Sequence, residues 1–360
     1  MKKSLIALAV ASAVSAPAFA ATANVDIYGR MAFSVDYVDT NDLIGDGADV
    51  VTGRDNVSRF GIKGTEDLGN GLAAIWQVET QLNANTGSSS SNSFGLRNTF
   101  VGLSSKSLGT VILGRHDTPY KMATASLDVF ADTAGDYNTI IGSTGSAQSI
   151  YDVRANQTIA YMSPTWTGFS FAAAYVEVKA NEQLVAAAND NTQAYSLMGK
   201  YVNGPIFASL AYETFSGAAG GGSTVTAETE AFKAGLGVKL GALQLGAVYE
   251  MIDSDAAASV NERDAYYMNA MYSIGAVDLK AAYGMAKDGE SAASTEMDYY
   301  VVGADYNLSK RTKLFGLYTT LANGGNAISG GTTLSQSTTG YTAAIGQDVE
   351  IVSLGVVHTF

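Results

Sequence analysis

The feature that most constrains this chain is a hydropathy alternation of period two, kept up in runs of about ten residues and repeated along almost the whole length. Only an extended backbone sends successive side chains to opposite sides, so such a run is a strand with one apolar and one polar face. Val25, Ile27, Met31, Phe33 and Val35 fall on one face of the first run, and Asp26, Tyr28, Arg30, Ser34 and Asp36 on the other. Leu243, Leu245, Ala247, Tyr249 and Met251 alternate in the same way with Gln244, Gly246 and Glu250, as do Val277, Leu279, Ala281, Tyr283 and Met285 with Asp278 and Lys280. Glycine, asparagine, serine or aspartate closes each run.

The connections alternate too. Short turns are expected at 68–71, 106–109, 164–168, 202–205, 240–242, 274–276 and 307–310, and longer polar stretches at 40–53, 84–93, 180–192, 217–227, 254–262, 289–295 and 323–347. Short turns at one end and long loops at the other describe an up-and-down antiparallel meander of about sixteen strands. The stretches 217–227 and 323–347 leave room for extra strand. An open sheet of that width has two unpaired edges, whereas a barrel pairs the first strand with the last. Val352, Leu354, Val356, His358 and Phe360 share one face of the final run and suit that closure. A soluble β-sandwich also alternates along its strands, but its loop lengths do not alternate so regularly.

The first twenty residues read as an export signal that is removed: Lys2 and Lys3, an apolar stretch over 5–16, and the cleavage pattern Ala18-Phe19-Ala20. The expected mature barrel is 21–360. No later stretch is apolar for long enough to cross a bilayer as a helix. A mean hydropathy of +0.08 still suits a membrane barrel, because lipid-facing residues occupy only every second position. Without the two signal lysines the balance is 19 basic to 34 acidic residues, or −15. That argues against nucleic acid, which needs clustered Lys and Arg, and fits acidic loops facing water and divalent cations. With no cysteine, disulfides and thiolate metal sites are excluded. Pro119, Pro164 and Pro205 all fall in expected loops or turns, where a missing N–H costs no ladder bond.

One connection belongs to neither class. Between Arg115 and Arg154 lie about forty residues, well beyond the length at which structureless loops become uncommon. Phe130, Tyr137, Ile140 and Ile141 have no use in open solvent, so the stretch is expected to pack against an inner wall with its carboxylates turned to a channel.

Four stretches carry a family resemblance: 58–69 (SRFGIKGTEDLG), 108–111 (LGTV) with Gly114-Arg115 leading to Asp117-Thr118-Pro119, 308–312 (LSKRT) and 355–360 (GVVHTF). Together they resemble the general diffusion porins of Gram-negative outer membranes, closest to the neisserial and betaproteobacterial branch, although the Pro-Glu-Phe-Gly-Gly segment of enterobacterial members is missing. The resemblance implies a sixteen-stranded homotrimer among outer-membrane lipid and lipopolysaccharide, with its third long loop folded into the lumen as an eyelet. It further implies basic eyelet residues at Arg59, Arg97 and Arg154, with Lys63 on the same strand face as Arg59. Asp128 and Asp132 match the acidic side by position, Asp136 joins them on composition, and Arg30 and Arg115 are further lumen candidates.

Opposed guanidinium and carboxylate rows across a narrow wet gap create a transverse field, which filters solutes by size, charge and polarity. The expected function is therefore passive diffusion of small hydrophilic solutes and ions, with neither cofactor nor metal. Each charge also has a plainer reading, as a solvated wall residue or a tie that holds the loop. A substrate-specific channel, or an adhesin or receptor barrel using acidic loop residues such as Asp42, Asp46 and Asp49, is the alternative. An enzyme is disfavoured because the two histidines, His116 and His358, offer no spaced ligand pair and no nucleophile–base pair.

Overall fold

The computed structural model describes residues 24–40, 50–82, 97–142, 151–178, 192–218, 226–254, 262–288, 296–323, 332–334, 341–343 and 348–360. The expected export signal and Asp42, Asp46 and Asp49 lie outside them.

The strands are β1 (Asn24–Thr40), β2 (Val50–Asp55), β3 (Arg59–Gly69), β4 (Leu72–Gln81), β5 (Thr99–Ser105), β6 (Gly109–Asp117), β7 (Arg154–Met162), β8 (Phe169–Val178), β9 (Thr192–Asn203) and β10 (Ile206–Ala218). They continue as β11 (Thr226–Leu240), β12 (Leu243–Ser254), β13 (Glu262–Ile274), β14 (Val277–Asp288), β15 (Met297–Asn307), β16 (Thr312–Asn323), β17 (Thr332–Leu334), β18 (Tyr341–Ala343) and β19 (Val349–Thr359). Each pairs antiparallel with its neighbour, β16 pairs with β19, and β19 returns to β1 from Arg30↔Thr359 to Thr40↔Val349. β2 and β3 both lie against β1 and make one stave. The result is a closed antiparallel barrel of sixteen staves, with β17 and β18 as a separate small hairpin inside the stretch that left room for extra strand. The loop expected at 40–53 is shorter than read, because β2 already begins at Val50. The β-branched Val50-Val51-Thr52 run favours strand over loop.

The alternation runs opposite to that of a soluble globule. Leu354 is 65 % exposed, Leu236 63 % and Val302 54 %, while the polar Ser353, Lys233 and Glu213 on the other face are fully buried. A continuous apolar exterior of this size would aggregate in water and is stable only against lipid. No helix among the described residues is long and apolar enough to cross a membrane, so the crossing is made by strands whose backbone groups are paired with neighbours.

The short turns use the backbone freedom their residues offer. At the β3–β4 hairpin Gly69, Asn70 and Gly71 all take positive φ (85°, 53° and 76°), a conformation glycine and asparagine tolerate best. The seam needs a glycine for a different reason. Gly29 exchanges backbone bonds with Phe360 (3.0 and 3.1 Å), and a Cβ on Gly29 would stand 2.4 Å from the Phe360 ring.

The long segment after β6 folds as helix α1 (Pro119–Thr124) followed by two 3-10 turns, Ala125–Leu127 and Tyr137–Thr139. Thr118 caps α1 and Pro119 opens it, where its missing N–H costs nothing. Leu127, Phe130, Tyr137, Ile140 and Ile141 are buried against Val248, Tyr267, Tyr299, Val301 and Phe315 on the less exposed face of β12–β16. That is the burial expected from composition, and each large side chain contributes about 1.5–3 kcal/mol.

Candidate functional site

Antiparallel staves in register set residues of equal height side by side, and β3–β7 use this to collect cations. Arg59 opens β3 opposite Gln81 of β4, Arg97 stands just before β5 with its N–H on the Glu79 carbonyl (3.1 Å), and Arg154 opens β7. All three line one cavity of about 270 Å³, whose other side is the loop residues Lys121, Asp128, Asp132, Asp136 and Asn138.

Each guanidinium has an assigned partner. Asp132 Oδ2 accepts from both Arg30 and Arg59, the latter at 3.0 Å. Arg97 Nε donates to Glu79 Oε1 at 2.5 Å, and Tyr28 donates to Glu79 Oε2 at 2.9 Å. Arg154 meets Asp117 at 2.8 Å and donates to Asn98 Oδ1 at 2.6 Å, while Asn98 Nδ2 donates back to Asp117 Oδ2 at 2.9 Å. Arg115 donates to Asn156.

The expected residues therefore separate into groups. Arg59, Arg97, Arg154 and Asp132 come together around one cavity, and Arg30 joins them through Asp132. Asp128 and Asp136 border the same cavity, but their oxygens are taken up by the loop's own N–H groups and, for Asp128, also by a hydroxyl of the barrel wall. Asp128 accepts from the Phe130 and Tyr137 N–H groups (2.8 and 3.1 Å) and the Tyr267 hydroxyl (3.2 Å); Asp136 accepts from the Asn138 and Asp132 N–H groups (2.9 Å each). These two acids fix the loop's shape, the plainer of the readings above. Lys63 shares the Arg59 face but lies nearer the short turns, in a second cavity with Asp26 and Gln77 and with its ammonium 5.3 Å from the Tyr28 ring. Glu79, Asp117 and Asn98 were not singled out from sequence. For Glu79 a signal existed, since an acid on the inward phase of a strand needs a cation.

The stem of the loop is tied to the opposite wall by a dry cluster of charges. Lys233 is ion-paired with Asp152, and its ammonium stands 4.0 Å from the Tyr120 ring centre. Asp152 also accepts from Tyr137 Oη (2.8 Å) and Asn138 Nδ2 (3.0 Å), and both Glu250 oxygens accept from the Gly142 N–H (2.8 and 2.6 Å). Lys233, Asp152, Glu250 and Glu213 are all 0 % exposed. Farther along, Asn269 donates to the Leu127 carbonyl (2.7 Å) and Lys280 to that of Val129 (3.1 Å).

The loop acids titrate in opposite directions. Burial, and then the Asp136 charge, push Asp128 well above the usual carboxylate range, and burial raises Asp136, its accepted N–H bonds only partly offsetting this. At Asp132 burial also opposes ionisation, but Arg59, Arg30 and Arg97 outweigh it and hold the carboxyl low. A raised folded value means stability is lost as pH rises through it; a depressed one means stability is lost as pH falls through it. Acidification from neutrality should therefore first raise the urea midpoint of the refolded protein, in a window above the ordinary carboxylate value of about 4, before the Asp132 pairs fail at lower pH. Asp128→Asn should blunt the rise. A wild-type midpoint that only falls from pH 7 downward would contradict this assignment.

Fold and site together define a transmembrane β-barrel of the sixteen-strand class, with a charged interior. Residues 7–326 match the family model described as Gram-negative porin. The chain is 32 % identical over 235 residues to an outer membrane porin protein of Bordetella pertussis, covering 59 % of each, and 35 % identical over 230 residues to outer membrane porin protein 32 of Delftia acidovorans, covering 62 % of this chain and 63 % of the relative. It thus spans about three fifths of the length of these curated relatives. Among solved structures, the anion-selective porin from Comamonas acidovorans superposes with a TM-score of 0.79 at 24 % identity, covering 94 % of this chain and all of that one. OmpT of Vibrio cholerae, in a trimer form, gives 0.67 at 16 %, covering 94 % and 99 %. These two likenesses speak for the fold. The chain belongs to the Gram-negative porin family and is an outer-membrane barrel; family and fold are those of channels.

Proposed function

We propose that the barrel is a water-filled pore for passive diffusion of small hydrophilic solutes and ions, constricted where the 118–142 segment faces the arginine wall, and favouring anions. The observation that carries the reading is the charge count at the constriction. Among the described residues Arg30, Arg59, Arg97, Arg115, Lys121 and Arg154 gather there, against Asp132, Glu79 and Asp117. Asp128 and Asp136 border the same cavity, and counting them the cations still lead by six to five. An excess of fixed cations between low-dielectric walls concentrates anions. The structural neighbour described as anion-selective supports the sign.

Homotrimeric assembly is part of this reading. Exposed tyrosines that suit the headgroup region lie on β1, β9, β13, β15 and β16 (Tyr37, Tyr195, Tyr266, Tyr300, Tyr318), whereas β2 to β6 carry no tyrosine. Val51, Val101, Leu103, Val111 and Leu113 make that sector aliphatic, suited to cover by a second subunit. The neighbour solved in a trimer form agrees. The sequence-based expectations of outer-membrane lipid and lipopolysaccharide around the barrel, and of a cleaved 1–20 signal, stand with it.

The test is planar-bilayer recording of the refolded protein across a potassium chloride gradient. Stepwise conductance with a reversal potential of anion sign is expected. Absence of conductance removes the pore, and a cation-sign potential removes the charge argument.

A further inference from the structure

One residue on the arginine wall holds a backbone conformation that its own side chain disfavours. Val57 has φ of 59°, in the left-handed region where a β-branched residue is an outlier. It sits between β2 and β3. Asp55 pairs with Phe33 and Arg59 with Arg30, so Asn56, Val57 and Ser58 oppose only Met31 and Ala32, and the stave carries a bulge.

The flanks of the bulge are locked. Asn56 and Ser58 are fully buried; the Asn56 N–H donates to the Ala32 carbonyl (2.8 Å) and its side chain to Ser34 Oγ (2.9 Å). The Ser58 N–H donates to Asp55 Oδ1 (2.6 Å), Ser58 Oγ accepts from the Ala32 N–H (3.0 Å), and the Ser58 carbonyl accepts from Leu82 (2.7 Å). A strained residue persists when its surroundings over-determine it in this way, and such strain clusters at functional sites. Val57 itself is only partly buried and lines the cavity that holds Arg59, Arg97 and Arg154. From the loop, the small Ala125 and Ala131 line the same cavity.

We propose that Val57 is the size-determining residue of the constriction: the bulge holds its isopropyl group in the solute path beside Arg59, where it narrows the passage without changing its charge. The proposal rests on the diffusion-pore reading. It divides the work, with the arginines setting the sign of the preferred ion and Val57 the largest solute that passes.

The experiment compares Val57→Gly, Val57→Phe and Arg59→Gln with the unaltered protein, by liposome swelling with a monosaccharide and a disaccharide and by reversal potential. Glycine suits the left-handed backbone, so Val57→Gly should unfold at the same or a higher urea midpoint. It should also raise the disaccharide-to-monosaccharide rate ratio by about twofold, since selectivity follows pore width, and Val57→Phe should lower it. Both should move the reversal potential far less than Arg59→Gln does. An unchanged rate ratio in both Val57 variants, with Arg59→Gln still shifting the potential, overturns this proposal alone; an inert Arg59→Gln instead overturns the constriction it rests on. Because the sequence has no cysteine, Val57→Cys gives a unique thiol, and a charged thiol reagent added in the bath should lower single-channel conductance. Failure to react would place the side chain outside the path and overturn the proposal.

Discussion

Arg59→Gln combined with Arg97→Gln is expected to remove most of the pore's preference for anions while leaving the barrel folded. A unit charge 4 Å from a passing ion is worth about 1 kcal/mol even at the dielectric constant of water. Its effect has opposite signs for an anion and a cation, so losing two such charges should move the permeability ratio by roughly tenfold or more at low salt. Screening shortens that reach to about 10 Å at 0.1 M salt, so the shift should shrink as salt rises. Folding should tolerate the change, because Asp132 keeps Arg30 and Glu79 keeps the Tyr28 hydroxyl. Reversal potentials at two salt concentrations check both statements. A ratio unmoved at low salt would mean that solutes do not pass these side chains.

Lys233→Met should be strongly destabilising. It leaves Asp152, Glu213 and Glu250, all without exposure, without the ammonium they surround, and an uncompensated buried charge costs about 3–5 kcal/mol. The loop stem would be released as well, since Asp152 is also the acceptor for Tyr137 and Asn138. Urea unfolding in detergent, followed by the fluorescence of Trp76 and Trp166, gives the loss directly. Adding Asp152→Asn should recover a large part of it, because the amide needs no cation. If the single variant unfolds like the parent, Lys233 is not the keystone of that anchor.

The strands were legible because lipid outside and water inside impose period two on every stave, and no later packing can overrule it. The charged row was legible in part. Arg59, Arg97 and Arg154 could be placed by resemblance, but the acids that face them could not be sorted by type alone. Asp128 and Asp136 border the cavity, yet each also bonds the N–H two residues ahead, the local turn habit of aspartate, and residue type alone does not separate the two uses. Val57 was invisible for a different reason. A single extra residue in a stave leaves the hydropathy pattern intact on either side of it, and its strain exists only once Arg30 and Arg59 are seen to pair. The Lys233 anchor joins strands to a loop far away in sequence, and no local window contains both.

The seam between β1 and β19 joins positions over three hundred apart, while nearly every other ladder links consecutive staves. Hairpins can thus assemble one after another during maturation at small entropic cost, but the cylinder stays an open ribbon with two sticky margins until one late, topologically distant zippering event. Assembly should accordingly show a single slow final phase, and weakening the stitch where Gly29 meets Phe360 should lengthen that phase without altering the formation of the hairpins before it.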